Sequence, residues 1–302
     1  LRHDHADDAR YNSVVLHVTL YPDVWTGRLT RPDGSPLPEL VLAPRLQTPL
    51  RRLLHDFRTR PSADALPCAT RIDDVPEAIQ HDWIRRLSRE RLQAKCERLR
   101  DASGATLLHE RLFAGLGYAK NDAPMETLAH RLPLDALSPD LSRRDLEALH
   151  FGVAGLLPTP DDLLDADRAT ADYAMDLRTR FARLKAQAPC APMNREAWTF
   201  FRLRPTNFPP LRIAQGLAWL TAGSLLRTHP LATLRAALAD DRPVRALRHA
   251  LAATPGPFWQ THFRLVTSTK PRDPSLGRSR IDTLLVNAVL PVLLRDARDR
   301  ND

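Results

Sequence analysis

The sequence predicts a mainly α-helical, multi-helix domain with a small N-terminal β remnant of α+β type, and three observations predict it. From Pro44 onward, apolar residues recur at helical spacing almost to the C-terminus. Before Pro44, Val14 to Thr19 alternates with the two-residue period of a strand. Prolines such as Pro76 and Pro210 stand where helical patterns begin, a position that needs no backbone N–H. The expected division is residues 1–45 for the β-containing part and 46–302 for the helical domain.

The opening runs from a loop rich in His and Asp into the strand. His3, His5, Asp8 and His17 are candidates for metal ligation or proton transfer. The equal alternative is a solvated loop with one hydrogen-bonded strand histidine. Thr26 to Thr30 and Glu39 to Leu42 read as a strand pair around the turn Arg31-Pro32-Asp33-Gly34. Leu46 to Arg58 is the first amphipathic helix, with Leu50, Leu53, Leu54 and Phe57 as its apolar stripe. Glu77 to about Ala102 is the longest, with Ile79, Trp83, Leu87, Leu92 and Leu99 as anchors among arginines. Its basic face reads as solvated, since Glu90, Glu97 and Asp82 stand at pairing distance along the helix.

Thr106 to Leu116 stops at Gly117, and a short helix restarts near Asn121. In the next helix, Glu147 and His150 are three apart. That is the spacing of bundle metal sites, but no second Glu-x-x-His pair exists, so the structural reading prevails. No metal site is expected there, and Glu147 is the expected partner of an arginine in the stretch described next. Asp167 to Lys185 is amphipathic. Later helices are expected at Pro210 to Leu226, Leu231 to Ala239, Val244 to Ala253, Phe258 to Val266 and Ser279 to Ala297. Gly216 and Gly223, seven apart, would lie on one helix face, and Asn287 near Pro291 would fix a register or bond freed backbone.

The most informative stretch is Trp198 to Gln215, W-T-F-F-R-L-R-P-T-N-F-P-P-L-R-I-A-Q. Arg202 and Arg204 sit two apart, so an extended backbone would send both guanidinium groups to one side. Pro205, Pro209 and Pro210 stiffen the segment, and Asn207 is placed to close the turn. Arg212 falls in the first turn of a helix, where the macrodipole disfavours a cation, so a carboxylate or a ligand phosphate is expected nearby. Arg202, Arg204, Arg212 and Asn207 are therefore the candidate phosphate-binding group, with Trp198 and Phe208 supporting them or stacking on bases.

Composition bounds the function. With 302 residues, 43% hydrophobic and 26% charged, the chain can bury one large core or two smaller ones. The net charge of +8 is carried by arginine, since only Lys95, Lys120, Lys185 and Lys270 are lysines. Arginine forks suit phosphate, although base composition accounts for most arginines in a chain so rich in Ala, Leu, Arg and Pro. Cys68, Cys96 and Cys190 have neither disulfide-framework nor zinc spacing, which fits a reducing cytosol and a cytoplasmic location. No apolar run is long enough to span a bilayer and no signal peptide is present, so no membrane partner is expected. The chain opens on Leu within a polar pattern, and its true start is expected upstream. P-loop, nucleophile-elbow and Rossmann glycine patterns are absent from the sequence.

Four segments carry a resemblance: His3 to Val18, Glu147 to Leu157, Arg202 to Gln215, and the run from Gly277 to Pro291. Together they resemble the bacterial family called domain of unknown function 2851, in order and over nearly the whole chain. Longer members resemble PD-(D/E)xK nucleases at an upstream segment, where paired carboxylates would hold Mg²⁺ for phosphodiester hydrolysis. The resemblance implies that residues 1–45 are the back half of such a core, with His3, His5, Asp8, Tyr11 and His17 peripheral to its metal. It implies no cofactor within this chain, no hydrolysis by this chain alone, and nucleic acid as partner. The alternative is a non-catalytic helical scaffold or adaptor whose arginines are internal ties to Glu147 or Asp145. A small-molecule enzyme using Glu147 and His150 ranks behind both.

Overall fold

Ser103, Ser142 and Asp167 each stand where an apolar helical pattern begins, and each caps a helix. Ser103 Oγ accepts the Thr106 amide at 3.2 Å, and Asp167 Oδ1 accepts the Thr170 amide at 2.9 Å. Ser142 forms a reciprocal capping box with Asp145, their amides donating to each other's side chains at 3.2 and 3.3 Å. The computed structural model describes residues 11–21, 29–59, 69–187 and 191–300. Within them the protein is mainly α, with one small two-stranded sheet. The chain divides into two compact units, Leu1–Asp82 and Trp83–Asp302. The expected change from strand to helix near residue 45 falls inside the first.

In the first unit, β1 (His17–Thr19) and β2 (Glu39–Val41) pair in parallel, His17 opposite Glu39. Of the strand expected at Thr26 to Thr30, residues 26–28 lie outside the described residues. The turn at Arg31–Gly34 forms, with the Gly34 amide donating to the Arg31 carbonyl at 2.9 Å, and among the described residues Thr30 and Pro36 bridge across it while the Leu37 amide donates to the Leu29 carbonyl at 2.8 Å. Pro36 and Pro38 lack the N–H groups a longer ladder would need. Helix α1 (Leu50–Thr59) begins four residues later than expected because Pro49 disfavours helical geometry in the residue before it. Its stripe residues Leu53, Leu54 and Phe57 are exposed. On α2 (Glu77–Glu97), Ile79, Trp83 and Leu87 are exposed too and do not anchor the helix as expected, while Arg86 pairs with Glu90 at 2.8 Å.

The second unit holds the large core. Helix α3 (Gly104–Arg131) is one element with a kink, non-helical at Tyr118 and Asn121, where the glycine stop and restart were read. Helix α4 (Arg143–Val153) is buried on nearly every side from Leu146 onward, the mark of a central helix. It packs against α5 (Arg168–Leu184) and α6 (Pro209–Leu217), and α6 lies on α3. Gly216 permits that last approach: a Cβ there would come within 3.0 to 3.1 Å of Phe113 and Leu116. Helices α7 (Pro230–Leu238) and α8 (Pro243–Ala250) follow.

Three expectations need correction. Helix α6 ends at Leu217, not Leu226, and gives way to 3-10 turns at Ala218–Leu220 and Leu225–Arg227. Between them Thr221 and Ser224 turn their hydroxyls onto the carbonyls of Ala218 and Thr221, competing with the helix. Gly223, at φ +76°, belongs to that turn and not to a helix face. Phe258 to Val266 holds only the short turn Pro257–Gln260, since His262 Nδ1 bonds the Phe258 carbonyl and His262 bridges to Ser268. The last element is α9 (Arg278–Leu284), a π turn at Leu285–Val289, and α10 (Leu290–Asp299). Asn287 Nδ2 donates to the Thr283 carbonyl at 2.8 Å, and its Oδ1 accepts from Arg91 at 3.1 Å.

Gly155 follows α4 at φ +68°, and a Cβ there would collide with the Met193 carbonyl oxygen. Gly155→Ala is expected to cost at least about 2 kcal/mol, from left-handed strain plus that collision. Urea denaturation checks it, and an unchanged midpoint would contradict the packing described.

Candidate phosphate-binding pocket

The loop before α6 is fastened at its start. Trp198 is buried, and its indole Nε1 donates to the Ala154 carbonyl, just past α4, at 2.7 Å. Trp198 therefore supports the loop and does not offer its faces to a base. Thr199 and Asn121 bond reciprocally, the Thr199 amide to Oδ1 at 2.8 Å and Nδ2 to the Thr199 carbonyl at 2.9 Å. Lys120 Nζ adds a bond to the Phe201 carbonyl at 3.1 Å. The kink of α3 is thus stapled to residues 199–201.

At Arg202 the backbone turns to φ +56°. The segment is not extended, so Arg202 and Arg204 do not leave one side together as expected. Arg202 is exposed, with its guanidinium 5.2 Å from the Phe201 ring centre, and it is not among the residues lining the pocket. Pro205 opens a 3-10 turn, Pro205–Asn207, and Pro209 and Pro210 then occupy the first two positions of α6. Their missing N–H groups are ones a helix start leaves unpaired anyway. Phe208 is half-buried, edge-on to Phe200 and beneath the guanidinium of Arg264.

Arg212 is 6% exposed and holds only neutral acceptors. Nη1 donates to Gln215 Oε1 at 2.8 Å, while Nη2 donates to Tyr118 Oη at 2.8 Å and to Asn207 Oδ1 at 2.7 Å. Its Nε is buried without a partner. Burial, with no carboxylate to offset it, pushes this guanidinium down from 12.5 to about 10. That corresponds to roughly 3 kcal/mol of unfavourable charging that a nearby anion would relieve.

Gln215 Nε2 donates to the Pro274 carbonyl at 2.8 Å and so brings a second segment, Arg272 to Arg280, to the same place. The guanidinium carbon of Arg280 lies over Tyr118, 3.0 Å from the ring centre, and burial lowers this arginine too to about 10. Arg272 donates to the His262 carbonyl at 2.8 Å and covers Phe263. Arg204 and Arg278 are exposed and also line this place, and the charge of Arg278 helps to hold the Asp282 carboxyl below its usual range. These five arginines line one cavity of about 790 Å³, within the range of ligand pockets. Its single carboxylate, Asp273, already accepts the Ser275 amide at 2.9 Å, and the Ser275 bonds hold it below the usual carboxylate range. Tyr118, at φ +53°, keeps a costly backbone conformation in the pocket wall.

The structure therefore gathers Arg204, Asn207 and Arg212 and leaves Arg202 apart. It adds Tyr118, Arg272, Arg278 and Arg280, which sequence reasoning did not single out. The available signal was R-D-P-S-L-G-R-S-R, Arg272 to Arg280, a second proline-turned arginine cluster leading into a helix.

Glu147 is not the partner of a central arginine. It is 2% exposed and accepts Tyr173 Oη at 2.7 Å and Trp259 Nε1 at 3.0 Å. Burial raises its carboxyl above the usual value against those two bonds and the nearby Arg144 and Arg143. Asp145 is taken by Arg180 at 3.0 Å and Arg183 at 3.1 Å. His150 is fully buried, and its Nδ1 donates to the Leu146 carbonyl at 2.8 Å. His17 Nδ1 lies 3.3 Å from Glu39 Oε1 across the sheet, while His3, His5 and Asp8 lie outside the described residues. Among the described residues no three His, Cys, Asp or Glu side chains gather as a metal would require, and no helix is long and apolar enough to cross a membrane.

Residues 1–302 match the family described as protein of unknown function (DUF2851). No curated protein and no solved structure matches the chain.

Proposed function

The chain belongs to the DUF2851 family, and from that premise we propose that it binds nucleic acid through the phosphates, with the arginine-lined pocket as the binding site. The observation that carries this reading is the charge imbalance: five guanidinium groups face one already-bonded carboxylate, and the most buried of them has no anionic neighbour. Arg212 and Arg272 are held in place as fixed positive charge. Arg204 and Arg278 remain open to grip oxyanion oxygens bidentately. A nucleic-acid-processing role follows as the wider reading.

The competing reading, a helical scaffold with structural arginines, draws on one observation. Both terminal nitrogens of Arg212 are already bonded to Gln215, Tyr118 and Asn207. Binding of short single-stranded DNA and RNA across a salt series separates the two. Under the proposal, log K falls linearly with log salt, and Arg204→Ala or Arg278→Ala flattens the slope by about 0.7 each, one contact apiece. Absent or salt-insensitive binding would leave the scaffold reading in place.

A further inference from the structure

The pocket has a neighbour. A second cavity of about 330 Å³ lies against the stacked pair Tyr118 and Arg280 and shares them and Thr283 with the first. Its lining mixes the apolar Ala114, Leu284 and Ala288 with the polar Arg111, Asp122 and Asn287. We propose that the two cavities together receive the phosphorylated end of a nucleic-acid strand, terminal phosphate among the arginines and first nucleoside in the adjoining cavity. This rests on the nucleic-acid reading above and specifies which part of the strand the site takes.

Charge and shape both favour an end over a chain-internal linkage. An internal phosphodiester carries one negative charge, whereas a terminal phosphomonoester carries about −1.5 to −2 near neutral pH, with three acceptor oxygens. Five arginines from two segments, Arg204 to Arg212 and Arg272 to Arg280, line the same concavity, which concentrates positive charge where a dianion gains most. Arg212 adds an independent sign of a ligand: it is 6% exposed, lines the pocket, and its Nε lacks a partner. A small chamber whose wall combines the Tyr118 ring and apolar carbon with polar side chains suits a nucleoside, whose flat face gains from leaving water while its polar edge keeps hydrogen-bond partners.

Fluorescence anisotropy with the whole chain tests this, using short strands of one sequence that end in a 5′-phosphate, a 3′-phosphate or hydroxyls only. One phosphorylated end is expected to bind at least about tenfold more tightly than the hydroxyl strand, as charge-assisted bidentate bonds to a dianion require. Arg204→Gln, at an exposed position, and Arg280→Gln should each shrink that ratio. Asp122→Trp, at an exposed position that lines the adjoining cavity and not the arginine pocket, should weaken the phosphorylated strand while inorganic phosphate competes as before. Equal affinity for all three strands would overturn end recognition and leave general nucleic-acid binding standing. Binding of none would remove both. A free nucleoside monophosphate that displaces the probe as well as the phosphorylated strand does would overturn the strand in favour of a free nucleotide.

Discussion

Replacing Glu147 by alanine is expected to destabilise the protein by about 3–5 kcal/mol, the range for breaking a buried hydrogen-bonded charge site. The substitution leaves Tyr173 Oη and Trp259 Nε1 buried without their acceptor and opens a cavity beside a fully buried indole. Glu147→Gln should recover most of the loss. Its amide oxygen can accept from the indole, and its NH₂ can donate to the tyrosine oxygen, which accepts as readily as it donates. Urea denaturation of the three proteins decides it. If glutamine proves as damaging as alanine, the negative charge matters for a reason other than satisfying these two donors.

Acid should unfold the protein early. His109 and His150 are buried, and burial holds them neutral, at about 3 and about 4 against 6.5 for a free histidine. The unfolded chain takes up their protons below 6.5 and the folded one does not, so stability falls as pH drops from 6.5 toward 4. The loss is about 1.4 kcal/mol per pH unit for each histidine, or about 4 kcal/mol for the pair at pH 5. Glu147 acts in the opposite sense, because its raised carboxyl binds a proton more readily when folded. Comparing wild type with the His109→Leu, His150→Leu double variant isolates the histidines. The variant's stability should fall much less between pH 6.5 and 5, with His262, also lowered by burial, still acting in the same sense; an unchanged slope would mean that these two imidazoles are not the titrating groups.

The proline-opened helices were legible because their cause is local: Pro76 and Pro210 act within a turn of where they stand. The pocket was half legible. Arg204, Asn207 and Arg212 share one stretch and declared themselves, whereas Arg280 joins them only through the kink that presents Tyr118 and the bond from Gln215 to Pro274. A contact spanning more than fifty residues leaves no mark on local spacing. Glu147 was misread for the same reason: its partners Tyr173 and Trp259 carry no charge and lie far along the chain. Backbone reversal at Arg202 was illegible because a left-handed arginine runs against residue preference.

The π turn at Leu285–Val289 works as a phase setter for the C-terminal helix. It inserts about one residue more than an α-helical turn, so it fixes the rotational offset between the core-facing residues Val292 and Leu293 and the arginines at the helix start. Tightening it to α geometry by losing one residue would swing that start by roughly 100° about its axis. Arg280 would leave the face of Tyr118, and the cradle would come apart with every one of its arginines still in the chain.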